Sequence, residues 1–417
     1  MTDCSVYASI GLVNSAGDLD GTTADVVVVG GGTVGAWCAY FLRRAGAGRV
    51  VLIERATLGD GASGRAAGIV RSQGGTPTAV LLAEWSRAFY LAQHEELGID
   101  SGFVRQSYFL PAFTDDDVAA AHERLAMQRA LGLDVRWMSP EDADAMNPTM
   151  APGSTRGGTF CAEDGYVSPP RNVLAYAVAL SLSGVELHER TALTGIVASR
   201  GRVAAVDTSN GRIATGTVVL TGGPELAAVG RVAGITIPAG GARHQVAVTE
   251  PHPDLDPARL PMVFDVLAGL YWRPEEGGLL FGMSNPDERP GAAREIDWAY
   301  LETMRARLGR LVPVTAALGL RRVWAATIDY TPDHLPILGP GISADGPVAG
   351  IGVASAGGHG MMWGPGVARA AADLALDGST DLLDVSFLGL DRFDADGKSA
   401  LDPDPIALPF PERALTT

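Results

Sequence analysis

The apolar pattern near the start of the chain predicts a strand, a helix and a second strand in close succession. Val26–Val29 is a continuous β-branched run, which is typical of a strand buried on both faces. A helix is predicted over Thr33–Ala45, and a second strand over Arg49–Ile53 that ends in Glu54. A glycine-rich turn joins the first strand to the helix, so this turn decides what the unit can bind.

Further along the chain, the patterns change from this α/β type to another. From Ser101 to about Asp164 the pattern predicts capped helices, with Thr114 and Ser139 as N-caps. From Gly240 to about Trp324 apolar and polar residues alternate over short runs, which predicts an antiparallel sheet with one helix. With 417 residues, the chain is longer than one ordinary domain. We therefore expect two domains, interleaved along the sequence.

Three glycines after the first strand have the spacing G-x-G-x-x-G. Gly30 permits a tight turn, Gly32 allows a pyrophosphate to approach the backbone, and Gly35 lets the helix pack on the strand. Glu54 ends the second strand, where an acidic side chain binds the ribose hydroxyls and disfavours a 2′-phosphate. The combination predicts a dinucleotide site, but this motif alone does not separate FAD from NAD.

Composition and charge exclude several classes of partner. Hydrophobic residues make up 47% of the chain and charged residues 19%, which supports a folded core. The formal net charge is −16 and no basic patch stands out, so neither nucleic acid nor an anionic membrane is expected as a partner. No apolar run approaches 18 residues, so no membrane insertion is expected.

The cysteines and the N-terminal residues favour a cytoplasmic location. Cys4, Cys38 and Cys161 form no C-x-x-C pair, so neither a disulfide framework nor a zinc site is expected. The N-terminal residues contain no basic region typical of a signal peptide. Lys398 is the single lysine of the sequence, so the body of the protein has no lysine for chemistry.

A long loop of small residues, "ATLGDGASGRAAGIVRSQGG", follows the second strand at Ala56–Gly75. It resembles the flavin-binding segment of the D-amino-acid oxidase superfamily, which includes sarcosine oxidases, glycine oxidases and dimethylglycine dehydrogenases. Further segments resemble the same family in the same order: Glu163–Leu180, Thr191–Gly223, and Thr327–Pro340 followed by "SAGGHGMMWGPGV". The resemblance covers Asp25 to about Gly378 and implies FAD as the cofactor.

The resemblance also implies a domain plan of the α/β class. A Rossmann-like FAD-binding domain would be interleaved with an α+β substrate domain that contains the antiparallel sheet. The expected boundaries are an N-terminal extension 1–24, an FAD-binding domain 25–100, 165–239 and 325–378, a substrate domain 101–164 and 240–324, and a C-terminal tail 379–417.

The family's flavin-binding positions carry over to a defined set of residues. They are Gly30, Gly32, Thr33, Val34, Gly35, Glu54, Arg55, Ala62, Ser63, Arg65, Ala67, Gly68, Leu193, Gly222, Gly358, His359, Gly360, Met361 and Met362. No other ligand-like residue accompanies His359, so a flavin-edge or structural role is expected and a metal site is not. Relatives that tether FAD covalently do so at the positions of Ala326 and Arg65, so FAD is expected to be non-covalent here.

The family oxidises amines: hydride passes from a carbon next to nitrogen to flavin N5, and an imine results. Arg71 matches an arginine near the substrate carboxylate, or it holds the flavin loop. Tyr271 matches a residue of the substrate pocket, or it packs in the sheet. Arg273 is a second possible carboxylate partner. His244 lies in a strand near the expected pocket, but no general base is assigned. The expected substrate is a small amine or amino acid, secondary or cyclic.

Two departures from the family bear on the electron acceptor and on the substrate. Leu280 stands where monomeric sarcosine oxidases have an oxygen-activating lysine, so a dehydrogenase or an atypical oxidase is favoured. Met362 replaces a lysine that helps to bind the substrate carboxylate. The acceptor is therefore O2 or an electron carrier. A homo-oligomer, a catalytic subunit of a hetero-oligomeric dehydrogenase and a non-catalytic flavoprotein subunit remain open.

Overall fold

The computed structural model describes residues 18–409. The helices in this range are α1 (Thr33–Arg44), α2 (Pro77–Leu97), α3 (Asp115–Ala130), α4 (Pro140–Met146), α5 (Pro169–Ser183), α6 (Leu226–Val232), α7 (Trp298–Leu311) and α8 (Gly364–Asp377). The strands are β1 (Thr22–Thr23), β2 (Val26–Val29), β3 (Val50–Ile53), β4 (Ile69–Val70), β5 (Val104–Arg105), β6 (Tyr108–Pro111), β7 (Val135–Met138), β8 (Gly158–Cys161), β9 (Gly165–Tyr166), β10 (Glu186–His188), β11 (Leu193–Ser199), β12 (Arg202–Thr208), β13 (Gly211–Ala214), β14 (Val218–Leu220), β15 (Gly240–Thr249), β16 (Met262–Asp265), β17 (Leu270–Glu275), β18 (Gly278–Met283), β19 (Leu320–Tyr330), β20 (Ile337–Ser343) and β21 (Gly346–Ser355).

The larger sheet has a parallel centre in the order β21-β14-β2-β3-β10. Its central strand β2 is buried along its whole length, as expected for a strand covered on both faces. Helix α1 packs against α5 and α8 on one face of this sheet. The arrangement brings the turn before α1 to the carboxyl end of the parallel strands, where α/β folds bind their ligands.

The second sheet has the strand order β19-β15-β18-β17-β16-β6-β8-β7. Its pairs are antiparallel as predicted, except that β6 and β16 run parallel. Helix α7 covers one face, where Leu301 and Met304 join a buried cluster with Trp272 and Phe281. The opposite face carries Tyr108, Val246, Phe264 and Tyr271, and this face borders the site. The α/β class with an added, largely antiparallel sheet is confirmed.

Local signals predicted several element ends well. Thr114 forms a capping box with Asp117, and the Ser139 side chain accepts from the Asp142 N–H.

Residues 1–17 of the predicted N-terminal extension lie outside the described residues, and β1 pairs with β13. Strand β19 runs without a break across the expected boundary between residues 324 and 325. The division into domains stays a prediction.

The tail after α8 folds back onto the body through one aspartate. Arg392 Nε donates to Asp333 Oδ2 at 2.7 Å, and both side chains are almost fully buried. The Ser399 hydroxyl donates to the same carboxylate at 2.6 Å, and the Asp404 N–H donates to the Asp333 carbonyl at 3.1 Å. The tail is therefore irregular, as expected, but it is held in place. No helix within residues 18–409 combines the length and apolar character needed to cross a bilayer.

Candidate functional site

A cavity of about 720 Å³ is lined by residues from both large sheets. This volume falls in the range of small-molecule and cofactor sites, roughly 300–1,000 Å³. Most of the residues predicted from the sequence line it: Gly30, Gly32, Thr33, Val34, Glu54, Arg55, Ala62, Ser63, Arg65, Ala67, Gly68, Arg71, Gly222, Tyr271, Gly358, His359, Gly360, Met361 and Met362. Gly35, Leu193 and Arg273 are not part of its lining.

At one end of the cavity, Glu54 is held in a fixed orientation. Its two carboxylate oxygens accept from the Gly31 N–H at 2.7 Å and from the Ala56 N–H at 2.8 Å. Burial raises the pKa of Glu54 above its usual value, against the lowering effect of these two hydrogen bonds. Arg55 pairs with Glu225 beside it. The end of β3 therefore presents a fixed carboxylate suited to a pair of ribose hydroxyls.

The N-terminus of α1 lies next to this carboxylate. Gly32 is the N-cap and no acidic residue lies in the first turn, so the positive end of the helix dipole is free for an anion. The Thr33 N–H donates to the Ser63 hydroxyl at 2.9 Å, which fixes the flavin-type loop against the helix. A Cβ added at Gly35 would lie 1.9 Å from the Gly30 carbonyl oxygen, which explains why Gly35 packs beneath the cavity instead of lining it.

The turn after β21 forms the opposite wall and needs glycine. Gly357 and Gly358 have φ angles of 54° and 88°, a region that side-chain-bearing residues rarely adopt. The buried Asp329 carboxylate accepts from the Ser355 hydroxyl at 2.8 Å, and this hydroxyl accepts from the Gly357 N–H at 3.1 Å. Burial raises the pKa of Asp329 despite these contacts. The aspartate thus holds the turn in shape.

His359 lies in this turn as a neutral side chain. Burial, aided by the charge of Arg71, lowers its pKa to about 3. Its Nδ1 lies 3.1 Å from the Gly357 carbonyl oxygen, and its ring lies 4.0 Å from the Trp363 ring, measured between centroids. The described residues contain no group of three or more His, Cys, Asp or Glu that could hold a metal ion. His359 therefore packs on Trp363 within the turn and also borders the cavity.

These residues fit FAD in shape and in polarity. Glu54, the α1 N-terminus and the glycine turn all line this one cavity, so they would hold the ribose, the pyrophosphate and the flavin ring of FAD. A Cβ at Gly360 would meet nothing within 4 Å, so the backbone there is open to a flat ring. The sequence profile of the family described as "FAD dependent oxidoreductase" matches residues 25–374.

The chain belongs to this family.

Several named proteins resemble this family member along most of its length. Mouse mitochondrial sarcosine dehydrogenase is 28% identical over 86% of this chain, and the match spans only 40% of that protein. Glycine oxidase from Geobacillus kaustophilus is 31% identical, over 76% of this chain and 84% of the oxidase. The crystal structure of L-proline dehydrogenase from P. horikoshii has a TM-score of 0.81 and 25% identity, over 89% and 98% of the two chains.

The cavity extends past the glycine turn and is also lined by Arg71. The side chain is 3% exposed, and Nη2 donates to the Ile406 carbonyl oxygen at 3.2 Å. Within residues 18–409, Nε and Nη1 have no hydrogen-bond partner. The guanidinium carbon lies 5.1 Å from the centroid of the Phe264 ring. A buried cation with unused donors lining a cavity is suited to bind an anionic group there.

The segment after Arg71 is fixed by a buried carboxylate. Asp164 accepts from the Ser72 N–H at 2.7 Å and from the Gln73 side-chain amide at 3.3 Å. Burial raises the pKa of Asp164 to about 6. Asp164 is not part of the cavity lining, so it positions the loop and leaves Arg71 as the charged group that borders this part of the cavity.

Tyr271 and His244 line the same end as a hydrogen-bonded pair. The Tyr271 hydroxyl lies 2.8 Å from His244 Nε2, and the two rings stack at 5.6 Å between centroids. Burial lowers the pKa of His244 to about 4 and raises the pKa of Tyr271. A Cβ at Gly282 would lie 2.3 Å from the Tyr271 oxygen, so glycine is required behind the pair.

Two residues expected in the site lie elsewhere. Arg273 donates to the Ala67 carbonyl at 3.1 Å, pairs with Glu275 at 2.6 Å and stacks on Tyr166. Because its guanidinium is occupied, we replace the expected carboxylate role by one of supporting the flavin loop at Ala67. Leu193 packs against the apolar cluster beside the larger sheet, because β11 turns this residue away from the cavity.

Several residues that line the cavity were not predicted from the sequence. They are Tyr108, Val246, Phe264, Asp329, Ile406 and Leu408. Val246 and Phe264 lie in runs that were predicted as strands, but the pattern did not indicate that they border the cavity, and the strand that carries Tyr108 was not predicted. Ile406 and Leu408 carry no local signal, since their position depends on how the tail returns to the body.

The positions of the tethering cysteine and of the oxygen-activating lysine, Ala326 and Leu280, have unreactive side chains. Ala326 lines the cavity, whereas Cys38 and Cys161 do not. Leu280 is buried in the apolar cluster on the cavity-facing side of the second sheet, without lining the cavity itself. Neither position supplies a nucleophile or a cation at the flavin end.

Proposed function

We propose that the protein oxidises the C–N bond of a small amino acid, secondary or cyclic, to an imine. Bound FAD would supply the hydride acceptor. The nitrogen lone pair would form the C=N bond as hydride leaves the neighbouring carbon, and the proton left on nitrogen would pass to solvent to give the imine. The observation that carries the proposal is Arg71, a buried cation that lines the cavity and has two nitrogens without a hydrogen-bond partner within residues 18–409.

Arg71 would orient the substrate through its carboxylate. A charge-assisted hydrogen bond to a buried guanidinium is stronger than a neutral one, because water does not compete for the donors. The neighbouring side chains Tyr108, Phe264 and Val246 are apolar or aromatic. They exclude water from the amine and its reacting carbon, so the carboxylate fixes the end of the molecule from which hydride leaves.

The class of amine is proposed from the names of the relatives. The similar proteins are named for sarcosine, glycine and L-proline, of which sarcosine and proline are secondary amines. Met362 lines the cavity without any charge, so the carboxylate would depend on Arg71 alone. Burial lowers the pKa of His244 and raises the pKa of Tyr271, so both side chains are neutral near pH 7. We therefore propose that the substrate amine enters neutral and needs no protein base.

For the acceptor, we propose an electron carrier ahead of O2. Leu280 stands at the position of the oxygen-activating lysine of monomeric sarcosine oxidases, and Lys398 lies in the tail. Arg71 is the buried cation at the cavity, and it would be neutralised by the substrate carboxylate. A second cation to favour oxygen reduction is then missing among the described residues of the cavity's substrate end.

The test is an anaerobic reduction of the FAD-loaded protein by a panel of amines and amino acids. Secondary and cyclic amino acids should bleach the flavin band, and the matched amines without a carboxylate should do so far more slowly. Admitting oxygen afterwards separates the acceptors: slow reoxidation, faster with an artificial carrier, is expected. Failure of every amine to bleach the flavin would overturn the proposed activity.

A further inference from the structure

The substrate end of the cavity is closed by a segment far away in sequence, Asp404–Leu408. Ile406 is fully buried, and both Ile406 and Leu408 line the cavity. Ile406 belongs to the same apolar cluster as Tyr108, Val246 and Phe264. This segment therefore supplies the wall that those three residues face, and no other described part of the tail reaches the cavity.

The segment is held at both sides, so its position is well defined. The Asp404 N–H donates to the Asp333 carbonyl at 3.1 Å, and the Asp404 carboxylate accepts from the Ile406 N–H at 2.9 Å. A Cβ at Gly75 would lie 2.1 Å from Asp404 Oδ1, so the segment sits directly on the backbone that follows Arg71. A Cβ at Gly269 would likewise lie 2.7 Å from Pro409.

The segment also orients the guanidinium of Arg71, the cation proposed to bind the substrate carboxylate. The Ile406 carbonyl accepts from Arg71 Nη2 at 3.2 Å, which leaves Nε and Nη1 without a partner in the described chain. An anion bound to Arg71 therefore lies next to the residue whose carbonyl holds the guanidinium. Ile406 and Arg71 are in contact and both line the cavity, so the carbon chain attached to such an anion would lie within reach of the Ile406 side chain.

We propose that Ile406 and Leu408 determine substrate specificity by packing against the apolar substituent of an amino acid bound through Arg71. The inference rests on the proposed function and adds the substrate class: amino acids with an apolar group or ring, preferred over glycine-sized ones. The side chains of Ile406, Leu408 and Phe264 offer no hydrogen-bond partner for a polar substituent that packs against them. A small substrate would leave this part of the cavity unfilled.

The experiment measures binding by changes in the visible flavin spectrum of the FAD-loaded full chain, which needs no turnover. The ligands are acetate, pyrrole-2-carboxylate and benzoate, which share a carboxylate and differ in apolar size. Ile406→Ala should reduce the preference for benzoate over acetate by roughly tenfold or more, since lost apolar contacts of this size are worth that much. Ile406→Trp should weaken benzoate binding most and acetate binding least.

Two controls keep the outcomes distinct. Leu401→Ala truncates a tail residue that packs on the apolar core around α1 and α8, and it should leave the ligand preference unchanged. Leu408→Ala, a partly buried position, replaces Ile406→Ala if the latter does not fold. An unchanged benzoate-to-acetate ratio in the Ile406 or Leu408 variants overturns the inference. If the unmodified protein binds none of the carboxylates and no amine reduces its flavin, the proposed function itself fails.

Discussion

The Tyr271 hydroxyl oxygen lies 2.8 Å from His244 Nε2, with both rings in the cavity wall. The two residues lie on β17 and β15, which do not pair with each other but flank β18. Gly282 on β18 supplies the space that lets the two side chains meet. The pair is neutral around pH 7, because burial disfavours both the imidazolium and the phenolate. It provides a polar group in the cavity that Arg71 also lines, without adding a charge.

Tyr271→Phe should keep the fold but leave a buried histidine nitrogen without a partner. We expect a loss of about 1–3 kcal/mol in the free energy of unfolding, together with weaker binding of amino-acid ligands. Urea titration and the flavin spectrum measure the two effects. Tyr300→Phe is the matched control, because its hydroxyl donates to Ser284 outside the cavity. Equal ligand affinities for the two variants would exclude a role of Tyr271 in the site.

His244 should make stability depend on pH on the acid side. Its folded pKa of about 4 is below the usual value of 6.5, so the unfolded chain binds more protons between these two pH values. The contribution of His244 to stability is then fully present above pH 6.5 and is lost as the pH falls towards 4. When the pH falls from 7 to 5, His244 should lower the free energy of unfolding by about 2 kcal/mol. His244→Gln should remove that part of the pH dependence, and equal slopes for both proteins would contradict it.

Arg71→Lys tests the carboxylate site. A lysine has a charge but cannot reproduce the planar set of donors, so carboxylate affinity should fall by roughly ten- to a hundredfold. Neutral amines should react at an almost unchanged rate. Arg136→Lys serves as the control, since Arg136 stacks on Phe160 and does not line the cavity. A parallel loss for carboxylates and neutral amines would show that Arg71 only supports the fold.

FAD should leave the protein intact on acid denaturation. The position of the tethering cysteine in related enzymes is Ala326, and Arg65 occupies the position of the tethering histidine. Arg65 is engaged with Asp60, and its carbonyl accepts from Trp324 at 2.8 Å. Trichloroacetic acid should therefore give a yellow supernatant and a colourless pellet. A coloured pellet would show a covalent bond at another residue.

The buried pair of Asp333 and Arg392 should be costly to break. Arg392→Met leaves a buried carboxylate without its cation, and about 3–5 kcal/mol of unfolding free energy should be lost. Arg212→Met breaks an exposed pair with Asp207 and should leave the free energy of unfolding almost unchanged, because water screens the two charges. Denaturant unfolding of both variants measures the difference. Similar losses for the two would mean that the tail contributes little to stability.

The sequence was most informative where contacts are local. The spacing of Gly30, Gly32 and Gly35 predicted the turn before α1, because strand, turn and helix follow one another directly. The helix ends at Thr114 and Ser139 could be predicted for the same reason, since a cap and its N–H donor are three residues apart.

Long-range contacts limited the prediction of the substrate end. Arg71 and Arg273 both match the pattern of a carboxylate ligand, and only the tertiary contacts of Arg273 with Ala67 and Glu275 separate them. His244 and Tyr271 lie on different strands, so no spacing in the sequence indicates that they meet. Ile406 reaches the cavity because Asp333 holds the C-terminal tail, and these contacts form only when the tail has folded back onto the body.

The contact between Arg71 and Ile406 joins residues that are 335 positions apart. Contacts of such separation form late in folding, because a long loop must close before they contribute any stability. The strand–helix–strand unit that carries the flavin motif needs only neighbouring residues and can form early. We therefore expect the turn before α1 to take shape before Arg71 meets Ile406, whereas the wall at Gly358 must wait, like the substrate wall, for a distant part of the chain to return.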